Sequence, residues 1–307
     1  MVFLHIIEEI ILPLVILIGV GVVLQRFFQF EMKTFSRLIL YYYIPALTFI
    51  TVYEASLSLH LLLLIFGLLI AQFIVLFLLG NGISRLLKHN RPTAASFSNS
   101  IILTNNGNIG IPVNGYVFQS DPFAMSVQMM VVLFEIALTF TFGLFNASAA
   151  SIGTSKTLRQ FAKMPILYAF VAGILCNLLQ IPLPDSIEIP MHTVAGGMLS
   201  LALVSIGAQM AGAKLYRNTS RVLLSSFLRL LVAPLIAFSL LTLFHIDGIV
   251  AQALFIASAI PTSRNSAALA LEYGNEPEFA AQAVLVSTLC SSVTLTLVIY
   301  LSTYLFS

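Results

Sequence analysis

The residues best suited to chemistry in this 307-residue chain form an asparagine-rich run inside apolar sequence. Residues 104–115 read Thr-Asn-Asn-Gly-Asn-Ile-Gly-Ile-Pro-Val-Asn-Gly. Proline removes a main-chain donor, glycine is a poor helix former, and asparagine offers the main chain competing hydrogen bonds. Asparagine amides also donate to carboxylates and accept from main-chain N–H groups. The run predicts an interrupted helix whose asparagines either bind a ligand or cap the break.

A second polar stretch lies near the other end of the chain, where residues 258–266 read Ser-Ala-Ile-Pro-Thr-Ser-Arg-Asn-Ser. An ordinary proline kink is the alternative to a full break here. If both helices are interrupted and cross, each new N-terminal end presents N–H groups equivalent to about +0.5 charge, which suits an anion. The opposed C-terminal ends suit a cation or a proton-bearing group. We therefore expect a small anion as the ligand.

Three ionisable residues, Glu135, Arg229 and Arg264, fall well inside apolar segments. Charges at such depth are costly and are expected to face the protein interior. One hypothesis is that Arg264 or Arg229 neutralises a carboxylate ligand while Glu135 titrates and couples transport to protons. The alternative is a static pair between Glu135 and one of the arginines that holds the helices together.

The composition places both polar stretches in a membrane protein. Hydrophobic residues make up 59% of the chain, charged residues 8%, and the mean hydropathy is +1.01. Soluble domains carry about 25% charged residues, so this chain cannot cover a surface that faces water. The net charge of +2 provides no basic face for nucleic acid. The expected surroundings are therefore a lipid bilayer.

Sequence patterns of enzymes are absent from the chain. It contains no His-Glu-x-x-His, Gly-x-Ser-x-Gly, P-loop or Cys/His metal spacing. Its two cysteines, Cys176 and Cys290, both lie in apolar runs and build no disulfide framework. We expect no enzymatic activity, no cofactor and no metal site.

The apolar segments predict ten transmembrane helices, because about 20 apolar residues cross the hydrocarbon core. The predicted spans are 6–28, 34–52, 57–80, 94–118, 124–147, 164–181, 190–212, 220–244, 248–272 and 279–305. Twelve of the 14 Lys and Arg residues fall in loops 1, 3, 5 and 7, and none falls in loops 2, 4, 6 and 8. The positive-inside rule then makes the odd loops cytoplasmic and both termini extracytoplasmic.

The two halves of the chain show a weak internal repeat. Three pairs keep similar offsets: Pro13 with Pro165, Gly21 with Gly173, and Pro112 with Pro261. Five spans in each half place the two copies in opposite orientation, a device of secondary transporters. The predicted domains are a first repeat at 1–150, a cytoplasmic linker at 151–163 and a second repeat at 164–307.

Three segments resemble the auxin efflux carrier family, which includes the plant PIN exporters and many bacterial permeases. They are Asn-Gly-Asn-Ile-Gly-Ile-Pro at 106–112, Ile-Pro-Thr-Ser followed by Asn at 260–265, and Leu-Ala-Leu-Val-Ser-Ile-Gly-Ala-Gln at 201–209. The resemblance covers all ten spans. Plant members often carry a long central hydrophilic loop, whereas loop 5 is short here, so the chain looks like the short, bacterial-type members.

The resemblance implies an all-α fold of ten transmembrane helices, a five-plus-five inverted repeat with crossed broken helices 4 and 9, similar to sodium/proton antiporters and bile acid symporters. Helices 1, 2, 6 and 7 would form a scaffold, and helices 3–5 and 8–10 a transport domain that moves by alternating access in the plasma membrane. Family substrates are small carboxylates such as auxin, malate and malonate. A small-residue face on span 7, with Gly196, Gly197, Ser200 and Gly207, suits close packing or a homodimer surface on the scaffold.

The family motif carries the substrate site to specific positions of this chain. With Arg264 added from its place beside the second break, the expected substrate-binding residues are Asn105, Asn106, Asn108, Pro112, Asn114, Pro261, Ser263, Arg264 and Asn265. Glu135 and Arg229 are the candidates for proton coupling. The coupling ion is left open between proton and sodium. A sodium-coupled organic-anion symporter and a cation/proton antiporter of the same fold are the alternative functions.

Overall fold

The computed structural model describes residues 12–54, 59–148, 165–211 and 219–306. Regular structure in these ranges is helical, apart from one isolated bridge between Thr104 and Thr262. The all-helical fold class is therefore confirmed. The predicted linker 151–163, with the basic residues of loop 5, lies outside the described residues, as do Lys214 and Arg217 of loop 7.

Within each described range the helices follow one another with connections of a few residues. In the first half they are α1 (Leu12–Phe28), α2 (Met32–Leu38, Ile39–Tyr43 and Ile44–Glu54), α3 (Leu59–Leu86), α4 (Arg91–Ile102), α5 (Asn106–Gly110 and Ile111–Val117) and α6 (Pro122–Leu138, Thr139–Gly143 and Leu144–Ser148). In the second half they are α7 (Pro165–Leu178), α8 (Asp185–Ala211), α9 (Thr219–Phe227, Leu228–Val232 and Ala233–Leu243), α10 (Gly248–Ser258), α11 (Arg264–Tyr273) and α12 (Pro277–Leu305).

Five helical stretches among the described residues are long and apolar enough to cross a membrane. They are His60–Leu86, Pro122–Ala147, Asp185–Ala208, Ser220–Leu243 and Pro277–Leu305. In α3, Leu63 and Leu78 are 68% and 63% exposed, which is tolerable because lipid is as apolar as leucine. The helix continues past the predicted limit at residue 80 to Leu86, since its polar last turn needs no hydrocarbon around it. The total of ten spans stays a prediction.

Four helices of the described ranges contain a short π turn, in which each main-chain hydrogen bond spans one residue more than in an α-helix. The π turns are Ile39–Tyr43, Asn106–Gly110, Thr139–Gly143 and Leu228–Val232. Such turns widen the helix locally and occur frequently at functional sites. The second begins α5 directly after the first polar stretch, and the fourth carries Arg229.

The described residues pack into two compact units. The first takes its described residues from the ranges Met1–Leu62, Gly107–Leu133 and Ala162–Ala213, and the second from Leu63–Asn106, Phe134–Phe161 and Lys214–Ser307. In the first unit, α1 and α8 touch main chain to main chain. A Cβ on Gly207 would overlap the carbonyl oxygen of Ile18, and one on Gly21 would overlap the carbonyl of Val204. Glycine is required there because the backbones approach so closely.

The second unit has its hydrophobic core around the end of α4. Phe97, Ile101 and Leu103 are fully buried in it. Aromatic rings of α3 and α6 extend the core, with Phe73 and Phe142 at a centroid distance of 5.2 Å. This packing holds α4 in place as far as its last helical residue, Ile102.

Candidate functional site

The first interruption separates α4 from α5 over Leu103, Thr104 and Asn105. Leu103 is extended (φ −80°, ψ 117°), although its N–H still donates to the carbonyl of Asn99 at 2.9 Å. The polar run that predicts the break reaches Gly115, but the chain is helical again from Asn106. The glycines and asparagines that follow wind as a π turn, so the break is shorter than the polar run.

The second interruption separates α10 from α11 over residues 259–263. Pro261 lies within it, where its missing N–H removes no helical hydrogen bond. Ser263 caps the start of α11, because its Oγ accepts from the N–H of Asn265 at 3.3 Å. Five consecutive non-helical residues make this a break and not a kink.

The two interruptions pair with each other through one isolated antiparallel bridge in the second unit. Thr104 lies opposite Thr262, the N–H of Asn105 donates to the carbonyl of Pro261 at 3.0 Å, and the N–H of Ser263 donates to the carbonyl of Leu103 at 2.8 Å. Main-chain groups in an apolar interior must find partners. Each broken segment supplies them for the other.

Thr262 is tied down further by side chains and main chain around it. Its hydroxyl donates to the carbonyl of Ser100 at 2.7 Å, and its N–H donates to the Oγ of Ser287 at 3.2 Å. Both Thr262 and Ser287 are fully buried. The break in the second helix is therefore held by α4 and by α12.

Arg229 closes the C-terminal ends of both interrupted helices. Its Nη1 donates to the carbonyl of Ile101 at 2.9 Å, and its Nη2 donates to the carbonyl of Ser258. The side chain is 1% exposed. Each helix C-terminus carries the equivalent of about −0.5 charge, so one buried guanidinium is matched by two such ends.

Glu135 lies at a helix end of the opposite polarity, the N-terminal end of α5. Its Oε2 accepts from the N–H of Asn106 at 2.7 Å, and the residue is buried. A carboxylate is favoured where the positive end of a helix begins. Glu135 also attracts Arg229 electrostatically. The two buried charges thus complement the ends that the breaks create.

One asparagine of the second unit, Asn106, forms side-chain hydrogen bonds across the two breaks. Asn106 donates from Nδ2 to the Oγ1 of Thr104 at 2.8 Å and to the carbonyl of Ala257 at 3.4 Å. Asn105 is buried, whereas Asn265 is exposed in the first turn of α11. The capping role predicted for some of these residues is thus seen for Asn106, and Ser263 has a comparable role.

Arg264 is the first residue of α11 and is partly buried. A helix N-terminus carries about +0.5 charge, so a cation at this position is electrostatically unfavourable by itself. The positive potential of the guanidinium and of the helix end therefore add. A negatively charged group near this end would lower the free energy of both.

Three predicted site residues, Asn108, Pro112 and Asn114, belong to the first unit. Pro112 follows Ile111 at the start of the α-helical part of α5, where proline is tolerated. Asn114 is fully buried and donates from Nδ2 to the Oε1 of Gln128 at 2.6 Å. Its Oδ1 has no hydrogen-bond partner in the part of the chain that the structure describes.

The family model of membrane transport proteins matches residues 6–299 of the chain. The chain belongs to the membrane transport protein family. A relative described as an uncharacterized transporter, from Methanothermobacter thermautotrophicus (strain ATCC 29096 / DSM 1053 / JCM 10044 / NBRC 100330 / Delta H), is 24% identical over 302 residues, covering 94% of this chain and 96% of the relative. The resemblance to auxin efflux carriers is confirmed at the level of this family, and the bacterial-type subgroup stays a prediction.

The family is one of transporters, so the prediction that the protein is not an enzyme is confirmed. The matched region contains every residue predicted for the site, from Asn105 to Asn265. The roles of these residues stay predictions, because family membership identifies the class of protein and not the ligand of a side chain.

Several residues of the site have no role in the sequence analysis. Thr104 and Thr262 lie inside the polar stretches, but their pairing depends on the relative position of two distant segments. Ser287 lies in a helix with many other hydroxyl side chains, and no sequence signal separates it from them. Their functions follow from tertiary contacts alone.

One group with metal-ligand geometry occurs among the described residues, in the first unit. One ligand atom each of Glu54, Glu188 and His192 lies within 4.8 Å of the others, and the Nε2 of His192 is 2.8 Å from the Oε1 of Glu54. Glu188 and His192 are four residues apart on α8, which is a visible sequence signal. Glu54, at the end of α2, is distant in the sequence, so only the fold shows that it belongs to this group.

Proposed function

We propose that this transporter is a secondary carrier that moves a small organic anion across the cytoplasmic membrane by alternating access. The substrate binds where the helices are interrupted, beside the first turn of α11. The observation that carries the proposal is the antiparallel pairing of two broken membrane helices at Thr104 and Thr262. Interrupted helices of this kind form substrate sites in secondary transporters.

The preference for an anion follows from the charge at the start of α11. Arg264 adds a full positive charge to a helix end that is already positive. Asn265, exposed in the same turn, offers an amide that can donate to a carboxylate. Together these groups favour a carboxylate such as malate, malonate or auxin over a cation.

Arg229 has a structural role in this proposal. Its two Nη atoms already donate to the carbonyls of Ile101 and Ser258. A substrate carboxylate that recruited this guanidinium would leave those two buried carbonyls without their donor. In this proposal Arg264 binds the substrate because of its charge at the start of α11, and Arg229 preserves the geometry of the breaks.

The proposed architecture is a five-plus-five inverted repeat of ten spans, with the odd loops in the cytoplasm and both termini outside. Spans 1, 2, 6 and 7 form the scaffold, and spans 3–5 and 8–10 move against it. The recurrence of Pro112 as Pro261, each near one of the interruptions, supports the repeat. The distribution of Lys and Arg among the loops supports the orientation.

The experiment is transport in proteoliposomes that contain the purified full-length protein. A carrier shows saturable uptake of labelled malate, malonate or indole-3-acetate, and uptake is stimulated when unlabelled substrate is inside. Arg264→Gln should weaken the affinity about 10- to 100-fold, the usual range for a hydrogen bond to a charged group. Arg221→Gln, an exposed arginine at the start of α9, is the matched control and should leave it unchanged. Ohmic current without saturation, or no flux of any of the three anions, would overturn the proposal.

A further inference from the structure

Glu135 accepts a hydrogen bond from a main-chain N–H at the start of a helix, a type of donor that commonly binds anions. The N–H of Asn106 starts α5, and the Glu135 Oε2 accepts from it at 2.7 Å. The first N–H groups of a helix lack partners within the helix and form a natural anion site. In this structure the protein's own carboxylate takes that position on the first of these N–H groups.

A substrate carboxylate bound beside the interruptions is repelled by an ionised Glu135. Two negative charges near the same pair of interruptions raise each other's free energy, and the repulsion is strong where water is excluded. Protonation removes the charge of Glu135 and makes its side chain a weaker acceptor for the Asn106 N–H. The positive potential of the helix end is then no longer offset by a carboxylate, so an anion beside the interruptions binds at a lower electrostatic cost.

The two arginines beside the interruptions keep their charge when Glu135 titrates. Arg229 attracts it electrostatically from α9, and Arg264 begins α11 beyond the second break. Arginine keeps its charge throughout the physiological range. Among the described charged residues beside the two breaks, Glu135 is therefore the one whose charge a proton can cancel.

We propose that a proton and the substrate anion bind together, with the proton on the carboxylate of Glu135. The inference rests on the proposed function and names its coupling ion. One proton joins one carboxylate oxygen, and no other bond is made or broken. Since proton and anion favour each other's binding, the coupling is reciprocal. A monocarboxylate is then carried with no net charge.

The test is calorimetric binding of malate to the purified full-length protein, in a pH range where both malate carboxylates stay ionised. Titration in two buffers of different ionisation enthalpy gives the number of protons taken up. We expect about one proton per anion, and an affinity that falls about tenfold for each pH unit above the titration of Glu135.

The variant Glu135→Gln keeps an oxygen that can accept from Asn106 but cannot titrate. It should bind malate with no proton uptake and with an affinity independent of pH. Glu135→Asp keeps a titrating group and should keep the proton uptake. Glu272→Gln removes an exposed carboxylate of α11 and should behave as the unaltered protein.

The outcomes separate the two claims. Binding of malate without proton uptake, or the same pH dependence in Glu135→Gln, overturns the coupling and leaves the anion carrier standing. Absence of binding by malate, malonate and indole-3-acetate at every pH overturns the proposed function and the coupling with it.

Discussion

Arg229 donates from Nη1 to the carbonyl of Ile101 at 2.9 Å, so a side chain of α9 closes the end of α4. The same guanidinium closes α10 at Ser258. A helix that ends in the apolar interior of the protein exposes carbonyls that neither its apolar surroundings nor the helix itself can satisfy. One fully buried arginine solves this for two helices at once, which explains how a charge is tolerated at that depth.

Replacing Arg229 by methionine should therefore destabilise the protein. Each buried carbonyl left without a donor costs about 1–3 kcal/mol, and the charge of Glu135 loses its attractive partner. We expect the melting temperature of Arg229→Met in detergent to fall by several °C. The melting temperature of Arg229→Lys should fall less, because the lysine ammonium can still donate to one of the two carbonyls.

The matched control for Arg229 is Arg221→Met, on the same helix but exposed. Its melting temperature should stay within about 1 °C of the unaltered protein, since surface charges contribute little. Equal melting temperatures for the two methionine variants would contradict the structural role of Arg229.

The close crossing of α1 and α8 gives a second prediction. A methyl group at Gly207 would overlap the carbonyl oxygen of Ile18, which is main chain and cannot rotate away. Gly207→Ala should thus lower the yield of folded protein and its melting temperature strongly, as overpacking costs about 1–3 kcal/mol or more. The matched control is Gly196 on the same helix, where a methyl group would meet nothing within 4 Å. Gly196→Ala should be neutral or slightly stabilising, because alanine is the better helix former. Similar losses in both variants would exclude the contact as the cause.

The sequence predicts where helices are interrupted better than how the interruptions are held. Pro261 and the asparagine run mark the two breaks because they weaken helical hydrogen bonding locally, whatever surrounds them. No sequence pattern identifies Ser287 as the acceptor for the Thr262 N–H, or Ile18 as the neighbour of Gly207. Both contacts form only when distant segments of the chain pack together. The same reasoning applies to Arg229, whose burial the sequence suggests but whose two carbonyl partners it does not.

Ser287 offers a direct test of the second break. Its Oγ accepts from the N–H of Thr262 at 3.2 Å, so Ser287→Ala leaves a buried donor without a partner. The free energy of unfolding should fall by about 1–3 kcal/mol. Hydrogen exchange at the Thr262 amide should become faster. Ser292→Ala, which removes an exposed hydroxyl of the same helix, should change neither measurement. Unchanged exchange at Thr262 in the first variant would contradict the contact.

His89, between α3 and α4, provides a test of pH dependence outside the spans. Two causes lower the pKa of His89 from its ordinary value of 6.5. The larger is burial of the ring, and the smaller is the positive charge of Arg221. The folded protein then binds this proton less readily than the unfolded chain does. The contribution of His89 to stability is accordingly lost as the pH falls from 6.5 towards the lowered pKa.

The pKa of His89 can be measured by NMR titration of labelled histidine, with His89→Gln to assign the signal. Arg221→Gln should raise this pKa towards its ordinary value, because one of its two causes is removed. A pKa at or above the ordinary value in the unaltered protein would show that the ring is neither buried nor close to a positive charge.

The orientation in the membrane is testable with single cysteines in a background that carries Cys176→Ser and Cys290→Ser. Ser120 and Lys88 are both exposed, in predicted loops 4 and 3. The positive-inside rule puts loop 4 outside and loop 3 in the cytoplasm. Ser120→Cys should react with a membrane-impermeant maleimide in intact cells, whereas Lys88→Cys should react only after the membrane is opened. The reverse labelling pattern would invert the topology, and with it the side from which each interrupted helix is reached.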